Sequence, residues 1–86
     1  MDIHRLIKLA NNIGAFFAAE PDKAKGAAGV ATHIRNFWEP RMRRQILEYL
    51  DTDGGKGLDE IVLTALRNHR DELDPVKPRS GEKLPS

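Results

Sequence analysis

The stretch His33-Ile34-Arg35-Asn36-Phe37-Trp38-Glu39-Pro40-Arg41-Met42-Arg43-Arg44 joins the end of one helix to the start of the next. Upstream of it, apolar and small residues recur at Ala27, Val30, Ala31, Ile34, Phe37 and Trp38, the three-and-four spacing of one helical face. Pro40 then sets a boundary. It has no N–H to donate, so it fits the first position of a helix, where that donor would have no intrahelical partner. Its ring also pushes the preceding residue out of helical backbone angles. Downstream, Met42, Ile46, Tyr49 and Leu50 form one side of a further helix, with Arg41, Arg44, Gln45 and Glu48 on the other. Arg44 and Glu48 stand four apart and are spaced to pair. The stretch therefore reads as two helices meeting at a stiff proline corner.

Working towards the N-terminus, a first helix shows Ile3, Leu6, Ile7, Ala10, Ile13, Gly14 and Phe17 on one face. Leu9 and Phe16 widen that stripe, so the helix is expected to be covered on more than one side. Asp2 suits its N-cap, and Glu20-Pro21-Asp22 closes it and caps the next. The early turns of the second helix hold Ala24, Gly26, Ala27, Ala28 and Gly29. Residues that small let another helix approach closely, although each glycine costs about 1 kcal/mol of helix propensity against alanine. Towards the C-terminus, Asp51-Thr52-Asp53-Gly54-Gly55-Lys56-Gly57 is a loop by composition. A fourth helix carries Leu58, Ile61, Val62, Ala65, Leu66 and His69 in register, with Asp59 and Glu60 near its positive end. From about Asp71 the pattern stops, as Asp74-Pro75 and Lys77-Pro78 break any helix. The sequence thus predicts an all-α fold: a small bundle of about four helices over residues 1–70, and a flexible polar tail over 71–86, disordered or ordered only against a partner.

Composition narrows the function. A chain of 86 residues allows one small domain, and 14 basic against 13 acidic residues leave a net charge of +1. That balance gives no general attraction to nucleic acid or an anionic membrane. With no cysteine, thiolate metal sites, disulfides and thiol catalysis are excluded. The longest apolar run, Ala15 to Ala19, falls far short of the ~20 residues that span a bilayer. Cytoplasmic location is the expectation.

No residue earns a catalytic, cofactor-binding or metal-binding assignment. His4, His33 and His69 fall on separate helices, without a second ligand at helical spacing apart from pairs with surface acids, and His33 and His69 are expected to bond nearby backbone. Asp51 and Asp53 match the first and third positions of a calcium loop, but Lys56 stands where glycine is required and Val62 where the bidentate glutamate belongs. The Gly-Gly-Lys-Gly run lacks the leading glycine and the Ser/Thr of a phosphate loop. Serine occurs only at Ser80 and Ser86, in the tail.

What remains is the corner. Residues 33–44 hold four arginines against one acid, around the only tryptophan. One reading buries Phe37 and Trp38 in the core and leaves the arginines solvated. The functional reading makes Arg35, Trp38, Glu39, Arg41, Arg43 and Arg44 a partner-binding surface, since Arg and Trp combine large contact area with directed hydrogen bonds. Nucleic acid is the other target for arginines, but the rest of the chain supplies too little positive charge to extend the patch.

At these residues the sequence resembles the delta subunit of cytoplasmic NAD-dependent formate dehydrogenase. The resemblance rests on His33-Ile34-Arg35-x-Phe37-Trp38-x-Pro40-Arg41-Met42-Arg43-Arg44. Leu6-Ile7-x-x-Ala10-Asn11-x-Ile13-Gly14-x-Phe16-Phe17 and Gly57-Leu58-x-x-Ile61-Val62 support it, and it covers roughly residues 2–70. It implies a non-catalytic accessory subunit that docks on a large catalytic subunit, stabilising or assembling it. The molybdenum or tungsten pterin, iron–sulfur clusters, FMN and NAD of such a complex would lie on other subunits. A free-standing helical regulator, binding nucleic acid or another protein, is the alternative from a different class.

Overall fold

Asp2 and Asp22 open the first two helices from extended backbone. The Asp2 carboxylate accepts from the His4 N–H at 3.1 Å, and that of Asp22 from Ala24 and Lys25 at 2.9 and 3.3 Å. Those N–H groups have no partner inside the helix, so the side chain supplies one. In the computed structural model, which describes residues 1–75, five helices follow in chain order. They are α1 (Ile3–Phe17), α2 (Lys23–Phe37), α3 (Pro40–Asp53), α4 (Glu60–Asn68) and the short α5 (Arg70–Leu73). No strand occurs among the described residues. The all-α bundle is as expected, with one turn of helix added after the fourth. Residues 76–86, most of the expected tail, lie outside the described residues.

The core draws on every helix: Leu6 and Ala10 from α1, Val30 and Ile34 from α2, Ile46 from α3, Val62 and Leu66 from α4, and Leu73 from α5. Leu73 is 0% exposed, so the packed region runs past residue 70. The small residues do let helices approach. A methyl group placed on Gly14 would lie 2.8 Å from Val62 Cγ2 and 2.9 Å from Ile61 Cγ2. At Gly29 it would meet the Phe17 ring at 2.5 Å. The α1–α2–α4 spacing is therefore set by hydrogen atoms where other residues carry a Cβ.

Between α3 and α4 the chain reverses through glycines. Gly54 caps α3 in the left-handed region at φ 67°. Gly55 follows at φ 73° and is buried; a Cβ there would strike Leu63 Cδ2 at 2.5 Å. Leu58, expected inside the fourth helix, instead lies before its cap and is buried from the connector.

Candidate functional site

At the corner, Trp38 ends α2 in extended backbone (φ −87°, ψ 138°), its N–H still bonded to Ile34 O at 2.9 Å. Glu39 continues extended at φ −64°, ψ 151°, and Pro40 begins α3. This departure from helical geometry separates the two aromatic residues. Trp38 turns inward and is 8% exposed, whereas Phe37 is 73% exposed. The reading that put both in the core holds for Trp38 alone. The same burial means that Trp38 offers a partner little of its ring; it anchors the corner from within.

The charged residues of the corner also divide. Arg35, Glu39, Arg41 and Arg44 are exposed. Arg35 lies in the last turn of α2, where a cation meets the negative end of the helix dipole. Arg44 borders a shallow hollow of about 200 Å³ shared with Glu48, Asp51, Arg70 and Asp74. Arg43 is half-buried: Nη1 donates to Leu73 O at 3.4 Å, and Nε is buried without a hydrogen-bond partner. It ties α3 to the end of α5, so its guanidinium is engaged with the fold rather than open to a partner.

Elsewhere the polar side chains are occupied locally. Asp51, not Glu48, takes up an arginine: Arg70 Nη1 and Nη2 donate to its two carboxylate oxygens at 2.7 and 2.5 Å. That hydrogen-bonded pairing raises the Arg70 pKa above its ordinary value, holding the charge in place. Asp53 accepts from Thr52 Oγ1 at 3.2 Å. The histidines use side chains instead of the expected backbone: His69 Nδ1 lies 2.6 Å from Glu72 Oε2, and the His33 ring packs on Phe37 with centroids 4.7 Å apart. Among the described residues no group of three or more His, Asp or Glu is placed to hold a metal ion.

One residue with a defined task went unassigned in the sequence. Asn11, in the middle of α1, donates through Nδ2 to Gly57 O and accepts through Oδ1 from Asp59 N–H, each at 2.9 Å. It thereby clamps the glycine connector and satisfies a free donor at the start of α4, where Asp59 makes no side-chain cap. Its sequence signals were an amide at the edge of an apolar stripe, four residues after Ile7, and its place in the N-terminal motif of the resemblance.

Fold and corner together define a small all-α domain with exposed arginines around a buried tryptophan. The chain belongs to the NADH-dependent formate dehydrogenase delta subunit family, FdsD, whose family model matches residues 5–66. The match runs from the first turn of α1 to α4 and includes the whole corner. No curated protein and no solved structure matches the chain. None of the described helices is long and apolar enough to cross a membrane.

Proposed function

We propose that the chain is a non-catalytic subunit that docks on the large catalytic subunit of a cytoplasmic formate dehydrogenase and stabilises or assembles it. The observation that carries this reading is the family match, which takes in the helical framework from α1 into α4 rather than an isolated motif. Formate oxidation and NAD⁺ reduction then belong to other subunits, which hold the pterin, iron–sulfur clusters and FMN. The donor set of this chain fits that division, because a protein without cysteine has no thiolate for an iron–sulfur cluster. Arg35, Glu39, Arg41 and Arg44 supply exposed charge for the contact.

Co-expression with the catalytic subunit, followed by affinity capture of the small chain, tests the reading. Stoichiometric recovery of the large subunit is expected, with a lower yield of active enzyme when the small chain is deleted. Recovery of the small chain alone, with formate oxidation unchanged by the deletion, would replace this reading with that of a free-standing helical regulator.

A further inference from the structure

Arg43 is the corner arginine that the fold draws in, and it is poorly served there. A guanidinium carries five N–H donors. Nη1 reaches Leu73 O at 3.4 Å, longer than the usual range of about 2.7–3.2 Å, and Nε is buried with no hydrogen-bond partner. A buried donor on a charged group is unfavourable when left unpaired, yet the fold keeps one at the seam between α3 and α5. Nε and the Nη beside it form the edge of the fork that takes a carboxylate side-on, through two parallel hydrogen bonds. The donor left unused is therefore half of a carboxylate receptor.

The segment lying against that guanidinium is α5. One residue outside helical geometry, His69 at φ −116° and ψ 22°, separates it from α4. Leu73 is its buried residue, at 0% exposure. Arg70 ties it to Asp51 of α3 by two hydrogen bonds, in an ion pair open to solvent at 35% and 53% side-chain exposure. The contact between His69 Nδ1 and Glu72 stays within the segment itself. A short element with one apolar anchor and an exposed ion pair opens at lower cost than the long helices. In sequence, Leu73 stands among Asp71, Glu72 and Asp74, so the chain seated beside Arg43 presents one apolar side chain between carboxylates.

We infer that α5 is a strap over a docking site for an acidic segment of the catalytic subunit. The strap lifts on binding, an apolar side chain of the partner takes the place of Leu73, and a partner carboxylate pairs with the Nε edge of Arg43. This rests on the reading of the chain as a docked subunit. The strap itself displays the chemistry of the occupant, an apolar residue between acids. A carboxylate serves Arg43 better than the Leu73 carbonyl, because it brings a charge and two acceptors, and that difference favours the open form when the partner is present. The site is the seam between α3 and α5, with the exposed Arg41 and Arg44 at its margin.

The test follows Leu73 by NMR in the full chain with methyl-labelled leucines, free and bound to the unlabelled catalytic subunit. On binding, the Leu73 methyl resonances should move to those of a solvent-exposed leucine, while Leu6 and Leu66 keep their buried positions. Two variants measure the strap and the receptor by affinity. Arg70→Gln removes the exposed pairing with Asp51 and should tighten binding by up to about fivefold, since a strap that opens more readily leaves a larger competent fraction. Arg43→Lys keeps the charge, loses the fork and should weaken binding at least about tenfold. If the parent binds and Leu73 stays buried in the complex, the strap does not lift, and the docking reading stands without it. Unchanged affinity in Arg43→Lys removes the receptor and also overturns the proposal. Weaker binding by Arg70→Gln would overturn it too, by making α5 part of the interface rather than its cover. If the parent itself does not bind, both readings fall. Release of Leu73 in a concentration-dependent dimer of the isolated chain, in place of release by the catalytic subunit, would assign the site to a second copy instead. Should Arg43→Lys misfold, the leucine measurement decides alone, because it uses the unsubstituted chain.

Discussion

Asn11 joins segments of chain 46 and 48 positions apart with one side chain. Only an amide can do both jobs at once, because one oxygen accepts and one nitrogen donates. Asn11→Ala should therefore cost about 1–2 kcal/mol, two hydrogen bonds at roughly 1 kcal/mol each, and lower Tm by about 5–10 °C. Asn11→Asp keeps the acceptor for the Asp59 N–H but sets a carboxylate oxygen against the Gly57 carbonyl, so its loss should be at least as large. An unchanged melting curve for the alanine variant would remove the clamp from the fold. The arginines separate in the same way. Arg41→Glu with Arg44→Glu should shift stability by about 1 kcal/mol or less, since both side chains are exposed. Arg43→Glu turns a donor to Leu73 O into an acceptor facing it, and should cost about 2–4 kcal/mol in urea denaturation. Equal midpoints for the two variants would place Arg43 on the surface with its neighbours. The sequence grouped Arg41, Arg43 and Arg44 because nearness to Pro40 was visible in it. The carbonyl of Leu73, 30 positions away from Arg43, was not.

Periodicity and caps made α1 to α4 legible, and the exceptions have physical causes. α5 is four residues long, too short to show a period, and its one buried residue stands among Asp71, Glu72 and Asp74. Its loss should nevertheless be felt: Leu73→Ala empties a fully buried leucine and should cost about 2–4 kcal/mol, measured by chemical denaturation. A change below about 0.5 kcal/mol, the scale of a surface substitution, would mean that the bundle closes without α5. The reading of Phe37 and Trp38 as a buried pair fails at Phe37, which lies in the last turn of α2 at the His33 edge of the stripe, packed on that ring and otherwise open, while the extended C-cap carries Trp38 inward. The small residues of α2 were read as a place of close approach, as Gly26 and Gly29 show, and Gly14 on α1 is a further such point. Gly14→Ala gains about 1 kcal/mol of helix propensity. Against that, the added methyl meets two β-branched side chains at under 3 Å, an overpacking worth about 1–3 kcal/mol. A net loss of up to about 2 kcal/mol is expected, and a stabilised variant would show that α4 can yield at that point.

Across the whole molecule, a net charge of +1 conceals a division. α1 and α2 themselves carry only basic residues, but Asp2, Glu20, Asp22 and Glu39 stand at their ends, so residues 1–39 hold five Lys and Arg against four acids, while residues 40–75 hold six against eight. Composition reports only the sum, whereas the four arginines of residues 33–44 are a local excess visible along the chain. An acidic partner is steered towards exposed arginines before contact, so charge should act on the approach and apolar burial on the lifetime of the complex. The two effects can be separated by measuring association and dissociation rates with the immobilised catalytic subunit. Raising ionic strength from about 0.05 M to about 0.5 M shortens the screening length from about 14 Å to about 4 Å. The association rate should then fall about tenfold, with the dissociation rate changing little. Arg41→Glu/Arg44→Glu should reproduce that loss at low salt and flatten the salt dependence, because exposed arginines contribute mainly to encounter. If the arginine variant instead dissociated faster at every salt concentration, Arg41 and Arg44 would be bound against carboxylates in the finished interface, and the corner would be its centre rather than its margin.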